Sequence, residues 1–482
     1  MKAGIRDCGL LRILRRIGAD SIRVRPIDPR RLEPLIGAER VEALVEIAAS
    51  LRSALGSKRI VNVNSTATGG GVGEMLATLI GYARGAGLQA DWLVIEGDVE
   101  FFTVTKRVHN GLYGSPGDGR ELGSRERAIY ERTVEANVAR ICDEVRAGDV
   151  VIVHDPQPAG LINPLVAKGA HVVWRCHVGY DATNEWTERA WEFIRPYVEP
   201  AHAHVFSRLA FAPDWIDHAR LRAIPPSIDP FTPKNDDLAP HEVVALLNAA
   251  DLMAAPAARP DQRVTRPAEV VRTGQAPGPD MPLVVQVSRW DRMKDMVGVL
   301  HGFVEFVRGR SELVLAGPAM DGVSDDPEGV EVWEETREAW AALPEASRSR
   351  VHLAALPMHD ATENALLVNA LQRQARVVVQ KSLAEGFGLT VAEAMWKRRP
   401  VVASAVGGIV DQVVDGRTGV LLKDPHDLRG FGAAVDELLS DHVKAERLAV
   451  NAREHVARHF LGDRHLRQYA ELLSELLDDA RR

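Results

Sequence analysis

The chain reads as an α/β protein of two Rossmann-like, doubly wound domains facing each other across a cleft. Three observations predict this. Its 482 residues exceed one ordinary core, at roughly 150 residues per domain. Short β-branched runs alternate with longer amphipathic stretches in two successive series, the pattern of parallel sheets flanked by helices. A proline-rich stretch separates the two series.

Ahead of the first series, Ala38 to Leu55 spaces Val41, Leu44, Ile47 and Leu51 as one apolar helix face, to be packed on its own domain or on a second subunit. Strands are expected at Ile60 to Asn64, Asp91 to Ile95, Val150 to His154, His171 to Cys176 and His204 to Ser207. The run Val150-Val151-Ile152-Val153 is apolar on both alternating sets of positions, as in a strand covered on both faces, so it should be central. Pro225, Pro226 and Pro230 break the pattern, and Pro256, Pro260, Pro267, Pro277 and Pro279, interleaved with Ala, Arg and Gly, read as a linker or surface insertion. The second series places strands at Leu283 to Val287, Leu313 to Ala316, Val351 to Ala354, Val377 to Gln380, Val401 to Ala403 and Val420 to Leu422. One helix should begin near Leu389 and stop before Pro400, and Leu466, Tyr469, Leu473, Leu476 and Leu477 mark a terminal amphipathic helix. The expected division is an N-terminal extension at 1–58, a first Rossmann-like domain at 59–235, a linker at 236–281, a second Rossmann-like domain at 282–460 and a terminal helix at 461–482.

Composition limits the function classes. With 46% hydrophobic and 26% charged residues the chain is globular. Its net charge of −8 repels phosphate polymers, so no nucleic-acid partner is expected. The one basic run, Arg12, Arg15, Arg16, Arg23 and Arg25, reads as a solvated helix face or an oligomer contact. No stretch of 18 apolar residues lacks a charge and no leader pattern opens the chain, which predicts a cytoplasmic protein without a membrane partner. Cys8, Cys142 and Cys176 are too scattered for a disulfide framework or a metal knuckle. His154 and His177 end neighbouring strands at one cleft edge but have no third ligand at usable spacing, so no metal site is expected.

Three segments carry chemistry. Gly69-Gly70-Gly71-Val72-Gly73 follows a strand and opens a helix, where glycine lets backbone N–H groups approach an anion; tight strand-to-helix turns also use glycine for purely steric reasons. It is neither a Walker loop nor a nicotinamide fingerprint. Ser288-Arg289-Trp290-Asp291-Arg292-Met293-Lys294 directly follows the first strand of the second domain, and Arg289 and Lys294 can neutralise a departing diphosphate. Glu385-Gly386-Phe387-Gly388-Leu389-Thr390-Val391-Ala392-Glu393 sets one carboxylate before a helix and one within it, suited to sugar hydroxyls and to a ribose diol.

Glu385 and Glu393, taken with Arg289 and Lys294, resemble the paired-glutamate motif of the retaining family 4 glycosyltransferases, whose fold is GT-B. The first domain looks like the trehalose glycosyltransferring synthases of that family at Asn64-Ser65-Thr66, Phe101 to Lys106 running on to His109-Asn110, His154-Asp155-Pro156-Gln157-Pro158, Trp174-Arg175-Cys176-His177 and Pro225 to Pro230. The resemblance spans about Ile60 to Val420. It implies transfer of glucose from an NDP-glucose, with UDP- or ADP-glucose as donor, to glucose, giving trehalose and NDP reversibly. Gly70, Gly71, Arg289, Lys294, Glu385, Gly386, Phe387, Gly388, Leu389 and Glu393 would bind the donor, and Lys106, His109, Asp155, Gln157 and His177 the acceptor. Arg289, Lys294, Glu385 and His177 would serve catalysis, with no covalent nucleophile. No cofactor is required, a divalent cation such as Mg being at most stimulatory, and a homodimer is expected. Asp295 departs from the glycine that the family usually places after Lys294. The competing readings are a retaining trehalose phosphorylase using phosphate and glucose 1-phosphate, a nucleotide-sugar epimerase, and a non-catalytic sugar-nucleotide sensor.

Overall fold

A computed structural model describes residues 14–17, 21–67, 71–320 and 328–481. By its contacts the chain forms two compact units. The first holds the described residues of Arg12–Ile228 with Glu385–Phe387 and His459–Arg482, and the second holds Asp229–Ala384 and Gly388–Arg458.

The first unit is built on strands β1 (Leu14–Ile17), β2 (Ser21–Val24), β3 (Ile60–Asn64), β4 (Ala90–Val94), β5 (Val150–His154), β6 (His171–Cys176), β7 (Ala203–Phe206) and β8 (Leu221–Ala223), in the order β1-β2-β4-β3-β5-β6-β7-β8. From β4 to β8 all neighbours are parallel, while β2 is antiparallel to β4 and to β1. The position of β5 follows from its side chains: Val151 and Val153 enter one apolar layer with Phe101, Phe193 and Trp174, and Val150 and Ile152 enter the other with Leu51, Leu76 and Leu473. A strand with two apolar faces needs cover on both.

Helix Ala38–Leu55 buries Val41, Leu44, Ala48, Leu51 and Leu55 within this unit, so its apolar face is used on its own domain. The terminal helix Gly462–Asp479 packs into the same layer through Ala470, Leu472, Leu473 and Leu477, and the Arg40 guanidinium grips Asp463 Oδ2 through Nε at 2.9 Å and Nη2 at 2.6 Å. Neither the extension nor the terminal helix is an appendage. Strand β2 went unexpected because only Ile22 and Val24 alternate inward, too short a pattern to register. The basic run is also corrected: Arg15 and Arg16 lie in β1 and Arg23 in β2, on strands rather than a helix, and Arg12 falls outside the described residues.

The second unit contains β9 (Glu269–Val271), β10 (Leu283–Val287), β11 (Glu312–Pro318), β12 (Val351–Leu356), β13 (Val377–Gln380), β14 (Val401–Ser404) and β15 (Val420–Leu422), ordered β15-β14-β13-β10-β11-β12-β9. All pairs are parallel except β9, which runs antiparallel to β12 with Val270 opposite Ala354. The proline-rich stretch is therefore more than a linker. Its prolines flank β9 instead of interrupting it, and an edge strand needs hydrogen bonds on one side only. Helix Pro240–Ala249, also inside the expected linker, buries Val243, Leu246 and Leu247.

Candidate active site

In the first unit the site residues sit where parallel strands end. β5 closes at His154 and β6 one register step on, with His154 opposite Arg175. Asp155 then takes a left-handed φ of 64°, a costly conformation for a residue with a Cβ. Three bonds hold it: Asp155 N donates to Arg175 O (2.7 Å), its Oδ1 accepts from His177 N (2.7 Å), and its carbonyl accepts from Trp174 Nε1 (3.1 Å). Burial pushes the Asp155 carboxyl up to about 6, against the opposing pull of the His177 N–H and Arg175.

Hydrogen bonding assigns the tautomers of the two histidines. Asn62 Nδ2 faces Asp91 O at 3.4 Å, which turns its Oδ1 toward His154 Nε2 at 3.0 Å, so Nε2 carries a hydrogen. Burial and nearby Arg175 hold His154 down to about 3, so at neutral pH its Nδ1 is an acceptor. The nearly parallel His177 ring donates to it from Nε2 at 3.2 Å, and His177 Nδ1 accepts from Arg175 Nε at 3.4 Å. Every ring nitrogen of the pair is engaged. His177, expected to act in catalysis, thus meets His154 through Nε2 and Arg175 through Nδ1. Asn62 and, on the terminal helix, His465, whose Nδ1 meets Ser227 Oγ at 2.9 Å, were not among the expected site residues, and Arg175 entered only as part of a motif. His465 lies four residues before Tyr469 and stacks on its ring at 5.3 Å, a spacing visible in the sequence.

Glu385, Gly386 and Phe387 group with this unit. A Cβ on Gly386 would stand 2.5 Å from His177 O and 2.8 Å from the Tyr113 hydroxyl, so only glycine fits. Tyr113 was not foreseen; its ring meets His109 edge-on at 4.9 Å. Lys106 and His109 share one face of helix Val99–Leu112, and half-buried Gln157 follows β5. Gly71 begins helix Gly71–Gly85, whereas Gly70 lies outside the described residues. The structure gathers Asp155, His177 and Gly386 at one place.

In the second unit, the loop after β10 carries exposed Arg289, 3.1 Å from the buried Asp291 carboxylate, and half-buried Lys294 at the end of a short 3-10 turn. Asp295 follows at φ 48°, the left-handed region that favours glycine. Its carboxylate caps helix Met296–Phe306 by accepting from Gly298 N at 3.1 Å and pairs with the fully buried Lys381 ammonium. Helix Leu389–Trp396 starts from Gly388 at φ 86° and carries Glu393, 4% exposed, on its second turn; Glu385, ahead of it, is 8% exposed. Among the described residues no cluster of three His, Cys, Asp or Glu side chains is arranged for a metal, and no helix is long and apolar enough to cross a membrane.

Comparison with known proteins matches residues 62–213 to the family model "Trehalose synthase, N-terminal domain" and residues 272–455 to "Glycosyl transferases group 1". The chain is 34% identical over 456 residues to the trehalose synthase of Pyrococcus horikoshii, covering 93% of this chain and 97% of that protein. It is 35% identical over 448 residues to the trehalose synthase of Rubrobacter xylanophilus, covering 92% and 95%. Among solved structures it resembles the UDP-forming α,α-trehalose-phosphate synthase of Burkholderia vietnamiensis, with a TM-score of 0.65 at 13% identity over 87% of this chain and 99% of that one, a likeness that gives the GT-B fold.

Proposed function

Because the chain belongs to the trehalose synthase family of glycosyltransferases, we propose that it transfers glucose from an NDP-glucose to glucose, forming trehalose and NDP, reversibly and with retention. The observation that carries this reading is the carboxylate pair: Glu385 and Glu393, both nearly buried, flank the start of a helix that opens on a left-handed glycine. A ribose diol would present two O–H donors to Glu393, and the donor glucose its hydroxyls to Glu385. On this reading Gly71, Gly386, Phe387, Gly388 and Leu389 are further donor contacts. Arg289 and Lys294, on one loop, stabilise the diphosphate as negative charge develops on it.

In the reaction the C1–oxygen bond of the donor breaks, and its electron pair stays on the phosphate. The acceptor hydroxyl attacks C1 on the same face and gives its proton to that phosphate oxygen. No protein nucleophile is needed. Lys106, His109, Asp155 and Gln157 orient the acceptor, and His177, its ring committed to His154 and Arg175, sets the backbone against Gly386. The same reading makes the protein a cytoplasmic homodimer that acts on small molecules, with a divalent cation stimulatory at most.

The test is NMR product analysis after incubation with glucose and, separately, UDP-glucose, ADP-glucose, GDP-glucose and glucose 1-phosphate. An α,α-1,1-linked disaccharide from a nucleotide donor supports the reading and identifies the base. Product from glucose 1-phosphate alone makes the protein a phosphorylase. Nucleotide binding without any product makes it a sensor.

A further inference from the structure

Lys397 closes the helix that bears Glu393, one turn further on, and is 2% exposed. Its Nζ meets three oxygens, Gln372 Oε1 at 2.7 Å, Asn235 Oδ1 at 3.0 Å and Glu393 O at 3.3 Å, one for each hydrogen of an ammonium. None of the three carries a full charge. Burial lowers this lysine to about 7, the negative charge of Glu393 pulls the other way, and Arg373 and Lys234 add to the lowering. A buried cation is costly unless polar groups meet it, and here three oxygens do, with the Glu393 charge favouring the ammonium form.

The cradle is itself tied down on both sides. Gln372 Nε2 donates to Thr390 O in the first turn of the same helix at 3.1 Å, so Lys397 and Gln372 together bracket the helix from its first turn to its last. Asn235 belongs to the segment Asp229–Asp237, where the chain enters the second unit. Its own amide donates to Asp229 O at 3.0 Å, while its carbonyl accepts from Trp396 Nε1 at 3.3 Å and from Arg373 Nη2 at 3.4 Å. Asn369 adds bonds to Pro233 O at 2.9 Å and Asp236 O at 2.8 Å. A core needing only bulk at this position would take leucine or methionine without burying a charge.

We infer that Lys397 is a positioning residue of the nucleotide site: its ammonium, held by Asn235, Gln372 and the Glu393 carbonyl, fixes the helical turn and the carboxylate with which Glu393 meets the ribose of a nucleoside diphosphate. The inference rests on the donor role proposed for Glu393. It predicts that loss of Lys397 weakens the nucleotide and leaves the acceptor sugar alone.

The experiment is calorimetric titration of the full chain with UDP, ADP and GDP, with KM values for glucose measured alongside, for the wild type, Lys397→Met, Lys397→Arg, Glu393→Gln and the K397M/E393Q pair. K397M should weaken the favoured nucleotide about tenfold with glucose KM unchanged, K397R should recover part of the loss, and K397M should cost nothing further in the E393Q background. Should K397M fail to fold, Gln372→Leu, which strips one oxygen and keeps the lysine, is read in the same way. Wild-type affinity in K397M, or an equal loss with and without Glu393, overturns the inference and leaves the donor reading standing. A wild type that binds none of the three nucleotides overturns the donor reading itself.

Discussion

Asp295 holds a left-handed backbone that glycine would adopt without strain, and the reason for keeping it is Lys381. A lysine with 1% side-chain exposure needs a counter-charge, and the Asp295 carboxylate supplies it while capping the next helix. The departure from the family's usual glycine is thus compensated within the unit. Asp295→Gly should relieve the backbone yet destabilise the second unit by about 3 kcal/mol in denaturant melts, because it strands a buried cation. D295G with Lys381→Met should recover most of that loss. Glu393→Gln should weaken nucleotide binding by about 2 kcal/mol, ~30-fold, read by calorimetry. Glu385, Glu393, Arg289 and Lys294 are candidates in the sequence because motif spacing marks them. Lys381 and Lys397 could not, since a lysine beside a motif looks solvated until its burial is seen.

Among the elements, β5 was legible because both of its alternating faces are apolar, and helix Leu389–Trp396 because its glycine start and the following Pro400 bound it. The short elements β1, β2, β8 and β9 were not: arginine interrupts β1, β2 and β8, and β9 lies among prolines. The terminal helix was foreseen, but its partner was not, because an apolar stripe does not say what covers it. That stripe completes the layer over β3 and β5 together with helix Ala38–Leu55. Leu473→Ala, at a side chain 1% exposed, should cost the first unit about 3 kcal/mol of stability in denaturant melts.

For the whole molecule, burial sets the acid limit. His154 is held down to about 3 and His204 to about 4, and His177 and His465 lie well below the ordinary imidazole value, all mainly through desolvation. Below about pH 6.5 the unfolded chain binds protons at these sites and the folded chain does not, so the stability they contribute is present above that pH and lost as pH falls. Asp155, raised to about 6, binds its proton first in the folded state and opposes the trend between about pH 4 and 6, but His171 and His202, also lowered by burial, add to it. Melting temperature should therefore fall steadily from pH 6.5 to 5, and His204→Gln should make that fall shallower in a thermal scan across pH.

If the proposed function holds, a nucleoside diphosphate takes up glucose when trehalose is cleaved. Phosphorus NMR of the enzyme with trehalose and NDP, beside a sample with trehalose and inorganic phosphate, tests it directly. Resonances of an NDP-glucose should appear in the first sample and an unchanged phosphate line in the second. Glucose 1-phosphate appearing in the second sample, with the NDP left intact in the first, would contradict it.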